Sequence, residues 1–86
     1  MDWRLYAWLH RGPRREGVLE LLTKSEKPLS TKDVKKYLQI AISQASFTLK
    51  ELLNKKLIEC INPKDKIGKL YRITRRGKDY FKNVKK

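Results

Sequence analysis

The apolar residues of this chain change their period at residue 57, and that change restricts the fold more than any other feature. Before it, apolar side chains recur at helical spacing: Val18, Leu19, Leu21 and Leu22, then Val34, Tyr37 and Leu38, then Ala45, Leu49, Leu52 and Leu53. Residues three and four apart stack on one face of a helix, so each set predicts a buried stripe. After it, "LIECI" and "KLYRIT" alternate and are rich in β-branched and aromatic residues, as half-buried strands are. The joining "NPKDKIGK" opens on Asn-Pro and holds Gly68 near its end, which predicts a hairpin. In it Ile58 and Cys60 would share an inward face with Tyr71 and Ile73.

Local signals predict where the elements end. Pro13 suits the first turn of a helix running to about Lys24, where "TKSEKP" stops it. Ser30, three residues ahead of Asp33, is placed to cap a second helix over about Thr31 to Leu38. Pro28 and Leu29 read as a short extended piece suited to a sheet edge. A third helix is expected from about Ile42 to Lys55, and Thr74 can cap a last one from about Arg75 to Val84, with Tyr80, Phe81 and Val84 as its apolar edge. The opening residues concentrate Trp3, Leu5, Tyr6, Trp8 and Leu9 ahead of the breakers Gly12 and Pro13. The expected organisation is an aromatic N-terminal arm over 1–12, an α+β domain over 13–74, and a C-terminal helix with basic tail over 75–86.

At 86 residues and 40% hydrophobic content, the chain supports one core. Its 22 Lys and Arg against 9 Asp and Glu leave a net charge of +13. The excess is heaviest from Lys64 to Lys86, where only Asp65 and Asp79 are acidic. Such a chain repels itself unless an anionic partner binds, and nucleic acid is the first candidate. The lone Cys60 has no partner for a disulfide and no neighbouring His for a metal site, so it reads as a buried thiol. No apolar run is long enough for a membrane helix, and a cytoplasmic location without membrane association is expected. His10 is the single histidine. No nucleophile with a base, carboxylate pair or phosphate-cradling glycine loop is evident, so neither enzymatic activity nor a cofactor or metal is expected.

Three helices followed by a hairpin is the order of the winged helix-turn-helix domain. The segment "FTLKELLNKKLIECINPKDKIGKLYRITRRGKDYF" resembles small archaeal and MarR-like transcriptional regulators, and "RREGVLELL" resembles their first helix. The likeness covers roughly residues 13 to 82 and is most specific in the hairpin. It implies a double-stranded DNA-binding regulator, usually dimeric, whose third helix reads the major groove while the hairpin forms a basic wing. The chain departs from the pattern at Gln39 and Lys56, where glycine is common, and at Lys35, where a small residue is common. A left-handed lysine is therefore expected at position 56.

If the stripe of the third helix faces inward, Ser43, Gln44, Ser46, Phe47 and Lys50 lie on or near the opposite side. Gln44 is suited to adenine, the serines to phosphate or base edges, and Phe47 to a thymine methyl. The alternatives are a helix cap alone for Ser43 and, for Phe47, packing onto the hairpin or a partner subunit. Lys64, Lys66 and Lys69 crowd the wing, where they can meet phosphates or the minor groove. Thr31 and Lys32, at the start of the second helix, are candidate phosphate clamps; Arg14 and Arg15 are weaker ones. Trp3, Tyr6 and Trp8 either cover their own core or pair with Tyr80, Phe81 and Val84 across a homodimer, the favoured reading. No small-molecule ligand site is evident. The competing functions are a winged-helix protein-interaction module in a transcription or RNA-processing assembly, and nonspecific RNA or chromatin binding.

Overall fold

The elements run α1 (Trp3–His10), α2 (Pro13–Lys24), β1 (Leu29–Ser30), α3 (Thr31–Leu38), α4 (Ile42–Asn54), β2 (Ile58–Cys60), β3 (Leu70–Ile73) and α5 (Arg75–Val84), in the expected order from α2 onward. The structure is a computed structural model and describes residues 2–84, with side chains through Lys82. Pro13 occupies the first turn of α2, where a missing N–H is no loss. Ser30 and Asp33 cap α3 reciprocally: the Ser30 hydroxyl accepts from the Asp33 N–H at 3.2 Å, and the Asp33 carboxylate accepts from the Ser30 N–H at 2.9 Å. Two non-glycine residues, Gln39 (φ 54°) and Lys56 (φ 61°), end α3 and follow α4 in the left-handed region. Each conformation costs about 1 kcal/mol or more.

The sheet has the order β1-β3-β2, antiparallel throughout. Ile58 pairs with Ile73 and Cys60 with Tyr71, so the residues expected inward do share a face. Leu29 pairs with Tyr71 at the sheet edge, as the "PL" piece predicted. Cys60 is half-buried rather than fully enclosed.

One buried cluster joins Leu5 and Leu9 of α1, Val18, Leu19 and Leu22 of α2, Val34 of α3, Ala45, Leu49 and Leu52 of α4, the strand residues Leu29, Ile58 and Tyr71, the linker residue Leu57, and Tyr80 of α5. The aromatic opening is thus a helix that contributes Leu5 and Leu9 to the core. Leu5 and Leu9, four apart, make its inward stripe, and Asp2 caps it by accepting from the Arg4 N–H at 2.9 Å. Tyr80 is buried by its own chain, its phenol oxygen accepting from the Asp2 N–H at 2.8 Å. Two other expectations shift. Val34 and Leu38, four apart, lead the inward side of α3 and leave Tyr37 65% exposed, while Thr48 joins the buried stripe of α4 and Leu53 is half-buried.

Candidate nucleic-acid interface

With Ala45, Thr48, Leu49 and Leu52 turned inward, Ser43, Phe47 and Lys50 stand exposed on α4, and Gln44 and Ser46 are half-buried beside them. Phe47 is 64% exposed and is not folded onto the hairpin. It borders a cavity with Arg11, Arg14, Arg15 and Glu51, so three arginines flank this face; Arg11 had no signal in the sequence beyond its charge. Ser43 is not the cap, because Ala41 holds the N-cap position. The capping acceptor is Gln44, whose side-chain oxygen takes the Ala41 N–H at 3.1 Å.

At the amino end of α4 a groove runs between α3 and α4, lined by Lys32, Lys35, Lys36, Gln39, Ile40 and Ile42. The left-handed turn at Gln39 brings these lysines beside the start of α4. Lys32 is exposed, as a phosphate contact requires, whereas Thr31 is half-buried. The Tyr71 pKa is pushed up by burial first and by the neighbouring Cys60 second, with Thr31 pulling it down. Of the two candidate clamps, Lys32 is the more accessible. The Asp33 carboxyl is held below its usual range, chiefly by the Ser30 N–H and then by the Ser30 hydroxyl.

Asn62 organises the hairpin loop. Its amide nitrogen donates to the Asp65 carboxylate at 2.9 Å and to the Gly68 carbonyl at 3.1 Å, and its amide oxygen accepts from the Leu70 N–H at 2.7 Å. The Asp65 N–H closes the turn on the Asn62 carbonyl at 3.1 Å. Lys64 and Lys66 project into solvent from this braced loop, while Lys69 is half-buried. Sequence spacing carried no hint of the Asn62 network, because it depends on how the loop folds back.

Arg15 and Arg76 make contacts that hold elements of the fold together. Arg15 stacks its guanidinium 4.0 Å from the Trp8 ring centre, donates to the Trp8 carbonyl at 2.6 Å and pairs with Glu51 at 3.0 Å. It ties α1 and α2 to α4. Arg14 is exposed. Arg76 donates to the Lys55 carbonyl at 3.1 Å and lies over Tyr80. Among the residues expected at a dimer interface, Trp3 is 70% exposed. Tyr6, Trp8 and Phe81 are half-buried. Tyr80 is buried within its own chain, and the Val84 side chain lies outside the described residues. Among the described residues no three His, Cys, Asp or Glu side chains are grouped to hold a metal ion, and no helix is long and apolar enough to cross a membrane.

No protein-family profile and no curated protein matches the chain. Its fold does match solved structures. A MarR-family transcriptional regulator from Rhodococcus sp. RHA1 is 23% identical with a TM-score of 0.73, over 85% of this chain and 52% of that one. The PcaV transcriptional regulator from Streptomyces coelicolor, solved with its natural ligand, is 19% identical with a TM-score of 0.76, over 86% of this chain and 52% of that one. The multiple antibiotic-resistance repressor from Listeria monocytogenes is 18% identical with a TM-score of 0.73, over 85% of this chain and 48% of that one. The chain spans about half the length of these regulators. Five helices around a small antiparallel three-stranded sheet, matched at these TM-scores, are the winged helix-turn-helix fold of MarR-family regulators.

Proposed function

We propose that the chain is a sequence-specific, double-stranded DNA-binding transcriptional regulator acting in the cytoplasm by occupying an operator. The observation that carries this reading is the outward face of α4, where Ser43, Phe47 and Lys50 stand exposed beside Gln44 and Ser46. On a winged helix this face is the reading surface: its serines allow close approach and its polar groups suit base edges. Lys32, Lys64 and Lys66 supply phosphate contacts on either side. Lys69 and Thr31 contribute less directly, since both are half-buried. No catalytic step is part of this function.

A two-fold homodimer fits the reading, with Trp3, Tyr6, Trp8 and Phe81 as candidate contacts and Trp3 the most exposed of them. Pairing would set two α4 helices about one DNA turn apart, roughly 34 Å, and call for an inverted repeat. A second reading, a protein-interaction module, is favoured by the exposed apolar groups Tyr37, Ile42 and Phe47 on α3 and α4. Selection from random duplexes at moderate salt separates the two. An enriched, inverted-repeat sequence is expected; recovery of no preferred duplex would remove the sequence-specific reading. Sedimentation of the free protein tests the dimer.

A further inference from the structure

Ile67 is 91% exposed, more than any other exposed large apolar side chain among the described residues. Single apolar residues are common on protein surfaces, but the setting of this one is specific. It stands between Lys66 and Gly68 on the loop that Asn62 braces through Asp65, Gly68 and Leu70. Gly68 takes φ +73° and faces open space where a side chain would stand, a conformation suited to glycine. The loop therefore holds an apolar tip outward, flanked by ammonium groups, instead of folding it onto the sheet.

We propose, resting on the duplex-binding reading above, that Ile67 enters the minor groove and selects A·T over G·C pairs there. The charges are complementary: Lys64 and Lys66 favour a groove walled by phosphates. On the groove floor, A·T and T·A pairs show only acceptors, whereas G·C adds the guanine N2 amino donor. An apolar side chain packed against that floor shuts water away from the acceptors of every pair alike, but at G·C it also buries the amino group with no acceptor, an added penalty absent at A·T. Lysine alone makes no such distinction, since it finds an acceptor in every pair. Ile67 thus adds a short-range preference to the sequence-blind attraction of its neighbours.

The test uses the duplex recovered by selection, with the wing contact mapped by hydroxyl-radical protection. At the protected flanking position an A·T pair is changed to G·C and, separately, to inosine·cytosine. Inosine·cytosine lacks the minor-groove amino group of G·C but keeps its major-groove hydrogen-bonding groups. The wild-type chain is expected to bind the G·C duplex about five- to tenfold more weakly and the inosine·cytosine duplex as it binds A·T. Ile67→Ala should bind all three alike, while Lys66→Ala should weaken all three and keep their order. Equal binding of G·C and A·T overturns the proposal, as does inosine·cytosine behaving like G·C, discrimination surviving in Ile67→Ala, or an unprotected minor groove. Failure of the sequence-specific reading itself shows separately and earlier, as no enriched duplex, and removes this proposal with it.

Discussion

The side-chain oxygen of Gln44 accepts a hydrogen bond from the backbone N–H of Ala41 at 3.1 Å. The proposed function makes the same residue a base reader on α4, so capping and reading would meet in one amide. The bond engages one lone pair of the oxygen and leaves the NH₂ chemistry for DNA. Gln44→Glu keeps the capping acceptor, adds a charge that suits the helix N-terminus, and removes the donor. Its stability in urea should equal or exceed that of the wild type by about 0.5 kcal/mol, while duplex affinity falls and the selected sequence changes. Gln44→Ala should lose about 0.5–1 kcal/mol of stability and also shift the preferred sequence. An unchanged preference in both variants would take Gln44 out of the reading face.

Lysine charge and wing shape are separable. Lys66→Ala should weaken binding to every duplex and reduce the slope of log affinity against log salt by about one. Asn62→Ala removes the brace on Asp65, Gly68 and Leu70 without removing a charge. It should weaken binding through loop entropy while leaving the slope as it was, in titrations across a salt series.

Two backbone positions should respond with opposite signs. Lys56 sits at φ 61°, so Lys56→Gly should gain up to about 1 kcal/mol by relieving the left-handed conformation. Gly77 packs against the turn after α4, where an added Cβ would collide with the Leu57 carbonyl and the Ile73 side chain. Gly77→Ala should lose about 1–3 kcal/mol. Thermal or urea unfolding of the two variants checks both signs.

Asp33 links stability to pH. Its carboxyl is held low in the folded state by the Ser30 N–H and hydroxyl, so the native form holds its charge to lower pH than the unfolded chain does. The stabilisation is therefore complete above the unfolded aspartate value near about 4 and is lost as pH falls through the lower folded value. Unfolding of wild type and Asp33→Asn across that window should give a constant difference above it that shrinks on acidification. A difference that grew with acid would refute the linkage.

Neighbouring arginines on α2 should behave differently. Arg15→Ala breaks contacts to Trp8 and Glu51 and should cost about 1–2 kcal/mol of stability. Arg14→Ala should leave stability nearly unchanged, because Arg14 is exposed; if it weakens duplex binding, it does so from beside Phe47.

The helices and hairpin were legible because their causes are local. Stripes at Val18 to Leu22 and at Ala45 to Leu52, the Ser30 cap, and the alternation around Cys60 and Tyr71 each lie within a few residues. The outward face of α4 followed from the same arithmetic. The roles of Trp8, Arg15, Tyr80 and Asn62 did not, because each is set by contacts between separate elements or by a loop closing on itself.

By itself the sequence determined the order of elements from residue 13 on, the inward face of the hairpin and a strongly basic surface, since period, capping and charge are properties of neighbouring residues. Only the tertiary structure decided that the aromatic opening is a core helix and that Tyr80 is buried beneath it. It also turned Arg15 inward to Glu51, bent the wing around Asn62 and left Ile67 at its tip. Those outcomes depend on which surfaces meet once the chain is packed, and burial is a property of the whole fold.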